Sequence, residues 1–423
     1  MTVQEELILR EITDRYLTSG DFNGTPLQLL ANELKIPWDG FAQDAAELIQ
    51  EGKLRVVFAD TDINPHILRL GCEPVQIQLE KLPTADLHAC GYPASEHLEN
   101  VVNRQDYEGK PFTLSLALGA PQLSYKAFDL SVLEFYRNDP RYEYTTDDIH
   151  GQISLTNEYY DSNHMPESDR IFLDTFGFCY DEFLNRAVAV YVRYISDLSP
   201  EHQQIWKAKE LQGDYKLHPD YYRNTIVGDW GERIPIFEAF IMELQIINQM
   251  AGAMDRPPLF RVDFTQQSRP REFSFLVRPT LKEYNDFVHL LDKLLSDNIS
   301  KDFFMSEIPD EYDEVRQDGK IIVRYKNTIA ILNEWGHSRF RTSDWEPFDT
   351  LIKTLHDIRQ QRQKPAHAIN KNVFDQQYIH RQRELMIAAY DAVRTIRLMF
   401  AKHRKCINIE INETLFEGKI WSF

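Results

Sequence analysis

Residues 355–372 read LHDIRQQRQKPAHAINKN. Ser343-Asp344 forms a cap ahead of the stretch, with Glu346 near the first turn, so a helix is expected to run into it. Pro365 is expected to break or kink that helix, because proline lacks the N–H and its ring crowds the preceding turn. A second long helix follows, with Phe374, Tyr378, Leu385, Ala389, Val393, Ile396 and Phe400 on one stripe. Helix, break, helix makes the last third of the chain a bundle.

The same reading extends to both sides. In TLKEYNDFVHLLDKLLSD, residues Leu281, Tyr284, Phe287, Val288, Leu291, Leu294 and Leu295 fall on one helical face. VRQDGKIIVRY interrupts the helices with an Asp318-Gly319 hairpin turn. The expected architecture is α+β: a winged-helix-like unit over 1–70, a mixed middle domain over 71–260, and a helical bundle over 273–423 interrupted by a hairpin. A proline-rich stretch at 255–272 serves as the linker.

Charge sharpens the interest in the opening stretch. The chain has 423 residues and a formal net charge of -19. Between Lys353 and Lys405 stand twelve Lys/Arg and four Asp/Glu, a local charge of +8 that leaves -27 on the remainder. Such a concentration is either the footprint of a phosphate-backbone site or a bundle surface that docks against acidic partners.

Within it, Arg362, the polar Gln363 beside it and His367 fit an R-x4-6-H spacing. Arg397 and His403 fit the same loose spacing, inside a helix with no break. The first match, in its helical setting, resembles the HEPN family of helical nucleotide-binding and RNA-cleaving domains over at most the last 150 residues or so. The resemblance implies a metal-independent endoribonuclease with no cofactor, built as a homodimer whose two copies form the cleft, in a toxin or phage-defence setting. His367 would handle the proton, since its pKa lies near neutrality. Arg362 would hold or polarise the phosphate through its planar fork. Gln363 would orient one of them. Arg359, Gln363, Lys364, Asn370 and Lys371 are the expected RNA-binding residues around the pair. Many domains of this family are non-catalytic interaction bundles, and a scaffold role is the alternative.

The N-terminus carries a second, weaker resemblance. Three helical segments, EELILREITDRYLTS, PLQLLANELKI and DGFAQDAAELIQEGKL, precede the strands KLRVVFA and HILRL, which is the order of a winged helix-turn-helix. Thr25 is read as the cap and Pro26 as the first residue of the second helix. The third helix presents Asp39, Gln43, Asp44, Glu47, Gln50 and Glu51, with no cation before Lys53. Phosphate repels such a face, so a protein-contact module fits better than a transcription regulator.

In the middle, EPVQIQLEKL and FTLSLALG read as strands, and FCYDEFLNRAVAVYVRYISDL as a core helix. Ser199-Pro200 opens one further helix, and RIPIFEAFIMELQIINQMAGAM forms another. The acidic tract around Asp147–Asp169 lacks recognised metal-ligand spacing and reads as a solvated loop. Cys72, Cys90, Cys179 and Cys406 are widely spaced, as reduced thiols of the cytoplasm would be. No stretch is long and apolar enough for a membrane span. The acidic N-terminal two-thirds would regulate the bundle or bind a protein partner.

Overall fold

The computed structural model describes residues 1–147, 149–161, 166–229, 233–265, 268–315, 319–366 and 371–422. Its helices and small sheets make an α+β protein of two compact units, Met1–Thr145 with His150–Tyr221, and Thr146–Ile149 with Tyr222–Phe423.

The first unit begins with α1 (Val3–Thr18), whose N-terminus is closed by a reciprocal capping box between Thr2 and Glu5. It continues with β1 (Thr25–Pro26), α2 (Leu27–Glu33), α3 (Trp38–Gln50), β2 (Leu54–Val57), α4 (Val75–Lys81) and β3 (Cys90–Pro93). The strands form an antiparallel sheet in the order β1-β3-β2. Ile8, Ile12, Leu27, Phe41, Leu48 and Val56 close the core between helices and sheet. Three expectations are corrected here. Thr25 and Pro26 pair with Gly91 and Cys90 as a strand, and Pro26 caps α2 without a side-chain bond. The partner of β2 is β3, not HILRL. The segment EPVQIQLEKL is helical: Val75 and Ile77 are exposed, and Gln78 is the buried residue, accepting from the Val56 amide at 2.8 Å.

After α5 (Ser95–Val101) comes α6 (Pro111–Ala117), so FTLSLALG is also helical. Pro111 sits in its first turn, and the Gln203 side chain accepts from the Phe112 amide at 3.1 Å. The larger sheet is built from β4 (Tyr125–Phe128), β5 (Tyr142–Thr146), β6 (His150–Leu155), β7 (Phe172–Tyr180), β8 (Arg186–Tyr191) and β9 (Lys216–Leu217). Its order is β4-β8-β7-β6-β5, with β9 paired to β7. The short helices α7 (Glu134–Arg137), α8 (Asn157–Tyr160), α9 (Val192–Ser196), α10 (Pro200–Lys207) and α11 (Pro219–Tyr222) connect and flank it. The expected core helix at 178–198 is therefore the hairpin β7–β8 followed by α9. Asp181 makes the turn, its Oδ1 accepting from the Phe183 and Asn185 amides. Ala187–Tyr191 are all buried, so the strand shows no polar alternation. Ser199 caps α10 as expected, accepting from the His202 amide.

The second unit contains β10 (Ile234–Pro235), α12 (Ile236–Ala253), α13 (Leu281–Leu294), the hairpin β11 (Glu311–Val315) and β12 (Ile321–Tyr325), α14 (Thr328–Arg339), α15 (Glu346–Ala366), α16 (Gln377–Phe400), α17 (Glu413–Glu417) and β13 (Ile420–Trp421). Helix α12 packs along α16, α16 along α15, and α15 along α13. One core runs through all four, including Phe240, Ile247, Phe287, Leu291, Leu351, Ile358, Met386, Val393 and Phe400. Thus α12, placed by sequence in the middle domain, belongs to the bundle. The α16 stripe is buried as expected except Phe374, which lies before the helix and is 65% exposed. No helix among the described residues is long and apolar enough to cross a membrane.

Candidate functional site

Helix α15 starts where Asp344 Oδ1 accepts from the Glu346 amide at 3.0 Å. Phe348, Leu351, Ile352, Leu355 and Ile358 then recur at intervals of three and four and turn into the core. That phase places Arg359 and Arg362 together on one flank, beside the end of α13. The helix continues to Ala366, one residue past Pro365, so the expected break does not precede the proline.

Two carboxylates receive the arginines. Asp292, in the last turn of α13, is fully buried, and Asp297 follows the helix end. Arg362 Nη1 donates to Asp292 Oδ2 at 2.6 Å and to Asp297 Oδ2. Arg359 Nη2 donates to Asp297 Oδ1, and its Nε lies 3.6 Å from Asp292 Oδ1. The hydrogen bond that Arg362 donates to Asp292 raises the Arg362 pKa further, so the guanidinium stays charged. Two cations and two anions form a neutral quartet. The arrangement fixes the guanidinium of Arg362 and cancels its surplus charge.

On the adjoining face of α15 a cleft of ≈ 640 Å³ opens between α13, α15 and α16. Tyr284 and Tyr378 line it with ring centroids 5.4 Å apart, and the Tyr284 hydroxyl donates to Gln361 Oε1 at 2.8 Å. The Arg381 guanidinium lies 5.5 Å from the Tyr378 ring centre. Asp357, Gln360 and Glu384 complete the polar wall, and neither acid has an ion-pair partner among the described residues. The chain beyond the motif returns to this end of the bundle, where Val373 O accepts from the Leu281 amide at 2.8 Å.

Among the expected site residues, the structure brings Arg359 and Arg362 together. Gln363 and Lys371 are exposed, and Lys364 lies in the last turn of α15. His367 and Asn370 lie outside the described residues. Among the described residues, Arg359, Gln363 and Lys371 do not line the cleft. Its tyrosines, Gln361 and Arg381 escaped sequence reasoning, as did Asp292 and Asp297.

The basic segment is also less basic than its sequence. Arg359 and Arg362 are neutralised by the aspartates. Arg397 is buried against Glu243, its Nε donating to Oε2 at 2.5 Å. Lys405 pairs with Asp255. These four acids all lie outside the 353–405 segment, and they halve its apparent excess of +8. Among the described residues no group of three His, Cys, Asp or Glu is placed to hold a metal ion. No protein-family model, curated protein or solved structure matches the chain.

Proposed function

We propose that the C-terminal unit is a metal-independent endoribonuclease of the HEPN kind, acting in the cytoplasm in a toxin or defence role. The observation that supports this most is the fixed Arg362 guanidinium beside a cleft with paired tyrosines, on the helix that leads into His367. In this reading His367 takes the proton from a ribose 2′-hydroxyl, whose oxygen attacks the adjacent phosphorus. The 5′-oxygen leaves and is protonated, and a 2′,3′-cyclic phosphate remains. Arg362 faces the phosphate as negative charge develops. Asp297, 38% exposed, is the partner the phosphate displaces, while buried Asp292 keeps the guanidinium in place. In this reading the exposed Arg381 guanidinium at the cleft contacts a neighbouring phosphate, while the Tyr284 and Tyr378 rings, each 8% exposed, shape the wall and do not stack a base.

The test is cleavage of mixed RNA in EDTA by the full chain, His367→Ala and Arg362→Ala. Cleavage by the parent, lost in both variants, supports the enzyme. Identical behaviour of all three proteins overturns it.

The neutral quartet favours a second reading, a non-enzymatic bundle that binds a protein. In that case RNA binding is weak and hardly changes with salt, since few phosphates are neutralised. The N-terminal unit fits the same kind of role. Its β1-β3-β2 order supports the winged-helix resemblance, yet α3 is acidic, which favours a protein partner over duplex DNA. Salt-dependent binding of duplex DNA would reverse that preference.

A further inference from the structure

The hairpin β11–β12 stands apart from the core of its unit. Nine of its ten strand residues are exposed, and Ile322 is half-buried. Yet Tyr312, Val315, Ile321, Val323 and Tyr325 are large and apolar, between 49% and 70% exposed. A lone two-stranded ribbon is marginal in water, and a long apolar edge is a template for another strand.

The register sorts its side chains. Val315 pairs with Ile321, Asp313 with Val323, and Glu311 with Tyr325. Because side chains alternate along a strand, these six share one face. Tyr312, Glu314, Ile322 and Arg324 share the other. Charge separates the two edges as well. Strand β11 carries Glu311, Asp313 and Glu314, preceded by Asp310. Strand β12 carries one charge, Arg324, already bound by Glu314 at 2.5 Å.

We infer that β12 is a dimerisation edge that pairs antiparallel with β12 of a second copy of this chain. The alternatives meet like charge. Pairing β11 with β11 sets acidic strands side by side, and stacking the apolar faces brings Glu311 and Asp313 of both copies together. Pairing through β12 leaves the acidic strands outermost, three strand spacings or about 14 Å apart, beyond the ~8 Å screening length of physiological salt. Twofold symmetry then fixes the register. Opposed residues must lie on one face, so the axis passes through a single residue of β12. Centring on Arg324 opposes two guanidinium groups, and centring on Ile322 opposes Lys320 and Arg324. Centring on Val323 sets Ile321 against Tyr325 of the second copy, twice, with Val323 against itself. The interface is closed, so the assembly stops at two.

The experiment is the mass of the full chain by light scattering over a dilution series. The parent is expected to be a dimer. Val323→Lys, which opposes two ammonium groups at the axis, is expected to be a folded monomer whose melting temperature no longer depends on concentration. Val323→Cys should give a disulfide-linked dimer under mild oxidation, with the parent and its own four thiols as the control. A monomeric parent, a dimeric Val323→Lys, open-ended oligomers, or a Val323→Cys dimer that does not cross-link overturns the proposal.

Discussion

Arg362 Nη1 donates at 2.6 Å to Asp292 Oδ2, a carboxylate with no solvent exposure 70 residues earlier in the chain. Removing one partner of a buried pair leaves the other uncompensated and costs about 3–5 kcal/mol. Asp292→Asn is therefore expected to lose about 3 kcal/mol in urea unfolding. Asp297→Asn, at a site 38% exposed, should lose under ~1 kcal/mol because water screens it. If Asp297 is what phosphate displaces, the same variant binds RNA more tightly. Equal destabilisation by the two variants would remove the distinction between anchor and gate.

Arg397 and Glu243 are 1% and 0% exposed. Burial pushes the Glu243 carboxyl up, and the guanidinium groups of Arg397 and Arg394 pull it back only in part. Glu243 Oε1 and Arg397 Nη2 are buried without hydrogen bonds. Arg397→Met alone should cost about 3–5 kcal/mol, since the buried carboxylate keeps only Arg394 nearby. Glu243→Leu combined with Arg397→Met should cost much less than the single change, because no charge is left stranded. A double-mutant cycle by chemical denaturation reads this directly. Additive losses would show that the pair is not coupled.

What the sequence revealed depended on how far each signal reaches along the chain. The stripes of α13 and α16 were legible because one face of each helix meets the core and the other meets water. Strand β8 was not, since burial of its Ala187–Tyr191 segment on both faces erases the alternation that marks a strand. Helix α4 was misread for the opposite reason. Its apolar residues alternate by chance; the buried residue is Gln78, held by Val56 from another element, with Leu79 packed on the core beside it. The quartet lay beyond reach because its acids stand 62 to 70 residues from its arginines. Charge counted over a local window took Arg359 and Arg362 as surplus, although packing had already spent them on Asp292 and Asp297.

Two glycines should respond oppositely to alanine. Gly336 lies inside α14, where a Cβ would meet Phe348 Cζ of α15 at 2.2 Å. Overpacking of that kind costs about 1–3 kcal/mol, which outweighs a helix-propensity gain of up to ~1 kcal/mol. Gly40 lies exposed inside α3, with its nearest neighbour 4.0 Å from the added carbon. There Gly→Ala should stabilise by about 0.5–1 kcal/mol. Melting curves of the two variants should move in opposite directions, and a stabilised Gly336→Ala would mean that α14 and α15 are looser than described.

His202 is 1% exposed on α10, its Nδ1 2.8 Å from the Tyr136 hydroxyl. That hydroxyl also accepts from Trp206 Nε1 at 3.1 Å, and it donates to Nδ1 or accepts from it according to the ring's tautomer. Burial lowers the His202 pKa below its ordinary value of about 6.5. The unfolded chain therefore binds a proton at higher pH than the folded one. The stability contributed by the neutral ring is complete above about pH 6.5 and is lost as pH falls toward the lowered folded value. His202→Asn keeps an acceptor for Tyr136 and removes the titration. Between pH 7 and pH 5 the melting temperature of the parent should fall more steeply than that of the variant, while parallel curves would mean that this ring does not set the acid sensitivity of its unit.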